Sequence, residues 1–321
     1  MSEGINVLSL CDGMSCGHLA LDRAGVKVNK YYASEIKDIA IKVTMENYPD
    51  TIQLGDVNDI RYENGCIISD NGSFSDNIDL VIFGSPCQSF SRCMKQDKRI
   101  GLEDKERSGL FLECYRVLQE VNPKYFLIEN VKMSKENQDI LSEKLGVQPI
   151  RINSSLVSAQ KRDRLYWTNI PNVIIPEDKG IKLKDVINDG YVPNEKARCL
   201  LRNESHGYYN GENKKTMAKR FHRFHLGFGN VVFPSKEYYD NCVKIAEKIC
   251  DGRPTRASYY NDYVGNDFDD MRYLWKDERA RLQNVPGNYV DCLTEQEAAD
   301  VLGDGWTVDV VAHIFGFMSF Q

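Results

Sequence analysis

Cys87, Glu129 and Arg164 are the side chains in this sequence whose types and positions could do chemistry together. Leu80 to Phe83 is a short apolar run that reads as a buried strand, and Gly84 and Pro86 end it abruptly. Cys87 therefore falls just past a strand end, where α/β proteins build their sites. Lys124 to Ile128 reads as another strand and delivers Glu129, Asn130 and Val131 at its end. An acid at one strand end, near a thiol at a neighbouring one, is an acid beside a nucleophile. Taken singly, Cys87 reads equally well as a buried structural thiol, and Glu129 as a solvated carboxylate at a helix start. Ser158 to Arg164 adds Arg162 and Arg164. At i and i+2 of an extended segment, their side chains point to the same side. Such a pair suits a carboxylate or a phosphate, or else is an exposed basic strand start.

The elements that must hold these groups begin with Ile5 to Leu10, a strand candidate that runs into Cys11-Asp12-Gly13-Met14-Ser15-Cys16-Gly17. A helical pattern through Leu19, Ala20 and Leu21 then ends near Gly25. A strand, a glycine turn and a helix form an opening βα unit whose helix start can hold a polar ligand. There is no GxGxxG and no P-loop lysine, so neither a dinucleotide nor a triphosphate is indicated. Lys30 to Ser34 reads as the second strand and ends in Glu35, placed to take two ribose hydroxyls. A helix follows over Lys37 to Asn47, and Thr51 to Leu54 is a third strand ending in Gly55-Asp56-Val57. A glycine loop, a glutamate and an aspartate on three strand ends suit a nucleoside without phosphates. Beyond Cys87, the polar segment Arg92 to Arg107 is long for a loop and reads as a lid. A helix from Ser108 to Val121 and strands over Val147 to Ser155 and Asp163 to Thr168 complete this half.

Composition narrows the class. With 42% apolar and 27% charged residues the chain is an ordinary globular protein of one large domain, or one domain plus a smaller lobe. The ten cysteines form no CxxC pair and no zinc spacing, so they read as reduced thiols of a cytosolic protein, with no metal site. The amino terminus lacks a basic-then-apolar signal, and no apolar run approaches the roughly 20 residues of a membrane span.

Between Trp167 and Met271 the periodicity weakens. From Lys196 to His225 eight basic residues, Lys196, Arg198, Arg202, Lys214, Lys215, Lys219, Arg220 and Arg223, face two glutamates, in a chain whose net charge is −6. Tyr208, Tyr209, Phe221 and Phe224 are interleaved with them. A basic stretch with aromatics suits a nucleic-acid backbone and its bases, and the alternative is a solvated small lobe.

Taken in order, these residues resemble the cytosine-C5 DNA methyltransferase family along nearly the whole chain. The likeness rests on the loop with Asp12, Gly13 and Gly17, on Ser34-Glu35, and on Gly55-Asp56-Val57. It continues through Pro86-Cys87, Glu129-Asn130-Val131 and Gln160-x-Arg162-x-Arg164. Arg272 to Trp275 with Glu278 to Pro286, and Gly303 to Val308, are similar to the family's last two motifs. Several phrases look closest to the animal de novo enzymes, whereas the chain length suggests a bacterial or phage one. Cys11 stands where the family usually has Phe, and Asp304 where it often has Asn or Arg. The resemblance implies an α/β, Rossmann-like S-adenosylmethionine-dependent methyltransferase fold with a mixed, mostly parallel sheet and a small target-recognition lobe. It implies a catalytic and cofactor domain over 1–170, a target-recognition region over 171–270 and a returning segment over 271–321. Catalytic roles pass to Cys87, Glu129, Arg162 and Arg164. S-adenosyl-L-methionine would lie against Asp12, Gly13, Met14, Gly17, Glu35, Ile36, Asp56, Val57, Pro86, Leu110, Asp304 and Trp306. Double-stranded DNA would meet Gln88, Ser89, Arg202, Lys214, Lys215, Lys219, Arg220 and Arg223. A cognate restriction enzyme is a partner that the resemblance leaves open, and the recognition sequence and oligomeric state stay unread. Two alternatives remain at this point: a methyltransferase for cytosine in tRNA, and an inactive DNA-binding relative.

Overall fold

Every residue of the strand Ile5–Leu10 (β1) except Asn6 is buried, as expected of a central strand covered on both faces. A computed structural model describes residues 4–85, 105–202, 214–261, 263 and 265–320, with only the backbone at 105–108 and 214–216. The chain divides into two units. The first comprises Met1–Ser154, Asp163–Glu177 and Trp306–Gln321; the second comprises Ser155–Arg162 and Asp178–Gly305.

In the first unit β1 leads through the Cys11–Ser15 turn into helix α1 (Cys16–Arg23), then β2 (Val28–Ser34), α2 (Asp38–Asn47) and the short β3 (Ile52–Gln53). Strands β4 (Arg61–Glu63), β5 (Cys66–Ser69) and β6 (Gly72–Ser75) form a separate antiparallel sheet. The turn from β4 to β5 is Asn64-Gly65, both with positive φ, which matches the right-handed strand twist. Next come β7 (Leu80–Phe83), α3 (Lys105–Val121), β8 (Tyr125–Val131), α4 (Lys135–Leu145) and β9 (Ile150–Asn153). Ser134 caps α4 by accepting the Asn137 N–H, and Gly146, at φ 69°, ends it. After β10 (Gln160–Lys161), which belongs to the second unit, β11 (Asp163–Thr168) closes a seven-stranded sheet in the order β3-β2-β1-β7-β8-β11-β9. Pairings from β3 to β8 are parallel, and β11 is antiparallel to both of its neighbours. The sheet is therefore mixed and mostly parallel, as expected. Leu8, Leu10, Val81, Phe83, Ile128, Leu165 and Trp167 from the strands pack with Phe111, Val117 and Leu141 from the helices. Removing such apolar surface from water contributes about 25 cal/mol per Å².

In the second unit β12 (Ala197–Arg198) pairs with β10. Helices α5 (Lys214–His225), α6 (Lys236–Cys250), α7 (Lys276–Leu282) and α8 (Glu295–Asp304) follow. Cys242 and Ala246 of α6 are buried one turn apart, against Phe221, Phe233 and Tyr260. Helix α9 (Val308–Phe315) returns to the first unit, where it packs on α1 and Asp309 bridges Arg23 at 2.5 Å. Among the described residues, no helix is long and apolar enough to cross a membrane.

Candidate active site

Parallel strands leave their carboxyl ends along one edge of the sheet, and the candidate residues of the first unit collect there. The turn after β1 carries three left-handed residues, Cys11, Gly13 and Ser15. It is held by hydrogen bonds from two directions. The Asp12 N–H donates to the Ser34 carbonyl at 3.0 Å. Glu35, at the end of β2, accepts the Gly13 N–H on Oε2 at 2.8 Å, and the N–H groups of Ile36 and Lys37 on Oε1. Asp12 receives the Tyr31 hydroxyl on Oδ1 at 2.8 Å and the Ser15 hydroxyl on Oδ2. Burial pushes the Asp12 carboxyl up to about 6, against these hydroxyl donors, which favour the ionised form. Met14 and Gly17 are buried beneath the turn. A methyl at Gly17 would meet Ile82 Cδ1 at 2.3 Å, so the start of α1 lies close on β7. Ile36 stands 66% exposed beside Glu35, an apolar surface without cover among the described residues. Asp56 caps the turn Val57–Asp59 by accepting the Asn58 N–H at 2.9 Å, with Val57 buried behind it. Leu110, half-buried on α3, leans on the core.

A nearly buried ion pair stands at this edge. Glu129 lies opposite Tyr166 across the β8–β11 ladder, and Arg164 lies diagonally two residues away on the same face. Arg164 Nε approaches Glu129 Oε1 at 2.7 Å, and the two side chains are 13% and 11% exposed. Phe83 of β7 is in register with Ile128, so the end of β7 runs beside Glu129. A Cβ added at Gly84 would lie 2.6 Å from Trp306 Nε1 and 3.2 Å from Glu129 Oε2. Glycine is thus what lets the indole, the carboxylate and the strand end share this space. The hydroxyl of Ser85 and the side-chain amide nitrogen of Asn130 are buried with no hydrogen-bond partner among the described residues. Pro86, Cys87, Gln88 and Ser89 lie outside the described residues, as does the segment read as a lid up to residue 104.

Arg162 corrects the expected arginine pair. The extended run is interrupted at this residue, between β10 and β11. Its guanidinium is buried in the second unit, with Nη1 3.4 Å from Cys199 Sγ and 3.3 Å from the Gly303 carbonyl. Arg164 instead serves Glu129 in the first unit. Alternation of side chains along a strand does not carry across a break. Asp304 also belongs to the second unit, where it pairs with Arg202 at 3.4 Å.

The basic stretch holds a second correction. On α5, Met217, Ala218, Phe221 and Phe224 are buried, and Phe221 packs on Phe233 and Phe268. These rings are the core of the second unit, because a helix with an apolar stripe must bury it. Lys219 and Arg220 are half-buried and Arg223 is exposed. Of Lys214 and Lys215 only the backbone is described, and Tyr208 and Tyr209 fall outside the described residues.

The sequence model of the C-5 cytosine-specific DNA methylase family matches residues 5–319. The chain belongs to that family. It is 26% identical over 314 residues to the type II methyltransferase M1.ScrFI of Lactococcus lactis subsp. cremoris, covering 89% of this chain and 70% of the relative. It is 31% identical over 202 residues to the orphan methyltransferase M.SPRI of Bacillus phage SPR, covering 58% of this chain and 43% of the phage protein. It therefore spans less than half the length of that relative. A solved structure of a DNMT2 mutant from Spodoptera frugiperda superposes with a TM-score of 0.64 at 18% identity, over 98% of this chain and 99% of that one, and so shares the fold. Within this methylase, Tyr31 and Ser85 escaped the sequence reading, whereas Gly84 and Asn130 had a signal without a role: Gly84 ends an apolar strand directly before Ser85-Pro86-Cys87, and Asn130 follows Glu129.

Proposed function

We propose that the chain transfers a methyl group from S-adenosylmethionine to C5 of cytosine in double-stranded DNA. The observation that carries this reading is the Glu129–Arg164 pair, held almost out of water beside the end of the strand that leads to Cys87. Family membership supplies the reaction class.

The residues present fit a nucleoside-bearing cofactor without phosphates. Glu35, which already accepts the Gly13, Ile36 and Lys37 N–H groups, keeps one acceptor site on Oε2 for a ribose hydroxyl, exposed Ile36 offers apolar cover for a purine ring, and Asp56 with Val57 lines the next strand end. Gly13, Met14, Gly17 and Trp306 shape the adjoining floor, and Leu110 flanks it. Asp12 spends its oxygens on Ser15 and Tyr31, so its part is to fix the loop. The unspent polar atoms of Ser85 and Asn130 are buried at the neighbouring strand ends, as expected of groups that await a ligand. When bound, S-adenosylmethionine supplies a methyl group on an electron-poor sulfonium.

Cytosine C5 is a poor nucleophile, and its ring is out of reach within the base stack. The target base therefore leaves the duplex. Cys87, as thiolate, adds to C6 and pushes electron density onto C5. Glu129 accepts a hydrogen bond from the exocyclic amine, takes up the proton that the Cys87 thiol gives up, and passes it to N3 as negative charge develops there. Arg164 holds the Glu129 carboxylate in one orientation and is placed to reach the pyrimidine O2. The C5 proton passes to water, N3 returns its proton to Glu129, and expulsion of the Cys87 thiolate restores the aromatic ring. Arg162, bonded elsewhere, keeps a structural part. The same reading keeps the protein in the cytoplasm and makes a cognate restriction enzyme the partner to look for.

The test uses tritiated cofactor with unmethylated duplex DNA and, in parallel, tRNA. Label should enter the duplex, disappear with Cys87→Ala, and leave a covalent complex on DNA carrying 5-fluorocytosine. Label in tRNA alone, or full activity of Cys87→Ala, overturns the proposal.

A further inference from the structure

One large aromatic in the second unit is neither in the core nor in the catalytic reading. Phe228 is 59% exposed, and Leu226 beside it is 47% exposed. A helix that ends in a left-handed residue usually folds the next apolar side chain back onto its last turn. Here the ending is formed: Gly227, at φ 94°, donates its N–H to the Phe224 carbonyl, and Phe228 donates to the Arg223 carbonyl, both at 2.9 Å. The side chain of Phe228 nevertheless stays largely in solvent. The backbone that carries it is fixed by these two bonds and by Gly229 at φ 83°. Its ring is thus presented by a rigid platform.

The surroundings of that ring are cationic. Arg223 is exposed one turn back on α5. The Arg198 guanidinium lies against Gly227, so close that a Cβ there would stand 2.9 Å from three of its atoms. Asn230 accepts the Arg198 N–H at 2.8 Å and donates to its carbonyl at 3.3 Å, which ties β12 to the segment after Phe228. Arg220 lies over the Tyr273 ring at 5.6 Å, and Arg220, Arg223, Phe228 and Tyr273 line one shallow pocket. A fixed, exposed aromatic among three arginines, in a chain of net charge −6, matches a polyanion that carries apolar base edges in its grooves.

We propose that Phe228 contacts the bases of the DNA substrate, its ring lying against a base edge in a groove while Arg198 and Arg223 hold the flanking phosphates. This rests on the DNA-methyltransferase reading and adds to it a residue that sets sequence preference. Phosphate contacts fix position and base contacts specify, so the two kinds of residue separate in one experiment. The full chain, Phe228→Ala, Phe228→Trp and Arg223→Ala are mixed with an unmethylated duplex library carrying a random core. Affinity, its dependence on salt, and the selected sequences are then measured. Phe228→Ala should bind roughly ten-fold more weakly, as expected for loss of one apolar contact with a base edge. It should keep the wild-type salt slope and lose preference at one or two positions, and Phe228→Trp should restore affinity. Arg223→Ala should weaken all sequences alike and reduce the salt slope by about one. If the wild-type chain methylates duplex DNA while Phe228→Ala binds it with unchanged affinity and selects the same sequences, Phe228 has no such role. If the wild-type chain retains tRNA and no duplex, the DNA reading fails and this inference goes with it.

Discussion

Replacing Gly84 by alanine should disable the site through a single methyl group. The added Cβ would lie 2.6 Å from Trp306 Nε1 and 3.2 Å from both Trp306 Cε2 and Glu129 Oε2. Carbon–nitrogen contacts settle at about 3.4 Å or beyond, so the indole or the strand end must retreat by about 0.8 Å. Retreat is hindered on the far side, where the same indole approaches Gly17 within 3.6 Å of a notional Cβ. Overpacking of this kind costs about 1–3 kcal/mol. A displacement near 1 Å at a reacting group costs on the order of 10²-fold in rate. We expect Gly84→Ala to stay folded, melt a few degrees lower, bind cofactor more weakly and lose about two orders of magnitude in single-turnover methyl transfer. Gly109→Ala is the matched control, since a Cβ there meets nothing within 4 Å and alanine favours the helix. Wild-type rate and cofactor affinity in a folded Gly84→Ala protein would refute the packing assigned to Gly84, Trp306 and Glu129.

Other perturbations separate chemistry from architecture. Glu129→Gln keeps an acceptor for Arg164 but removes the charge; methyl transfer should fall on the order of 10²-fold or more, in a protein that still folds but melts lower because Arg164 loses its counter-charge. Joint loss of fold and activity would make the pair structural. Phe221→Ala should cost about 3–5 kcal/mol in denaturant unfolding, as a core aromatic does, and a loss below 1 kcal/mol would return Phe221 to the surface. Asp12 has its folded pKa raised from 3.8 to about 6, so the folded state holds the proton more tightly and stability falls as pH rises through that window. The wild-type chain should lose about 3 kcal/mol relative to Asp12→Asn between roughly pH 4 and pH 6. Parallel stability curves for the two proteins would show that the carboxyl is not desolvated.

Much of the sheet-bearing unit was legible because polar residues that follow apolar runs mark strand ends. Glu35, Asp56 and Glu129 were picked out that way: Glu35 and Asp56 follow β2 and β3, while Glu129 lies inside β8, two residues before its end. The small β4–β6 sheet went unread although Asn64-Gly65 is a strong hairpin signal, because its strands are only three or four residues long. On α5 net charge was weighed and period was not. Met217, Phe221 and Phe224 recur at helical spacing, which marks a buried stripe before it marks a nucleic-acid surface. The Arg162 error assumed one unbroken strand, and nothing local announces the break. Trp306 over Gly84 joins residues more than two hundred apart in sequence, a contact that only the closed fold defines.

The first unit is assembled from three separate stretches, and the last of them follows the whole second unit in the chain. Translation proceeds from the amino end, so Trp306 and helix α9 leave the ribosome only after all of residues 178–305. Until then helix α1 lacks the neighbour it packs on, Arg23 lacks Asp309, and the space beside Gly84 lacks its indole. A nascent chain halted before residue 306 would carry Glu129 and the glycine turn yet have an unfinished floor. Methylation competence would therefore arrive late in synthesis and all at once, after the second unit has had time to form.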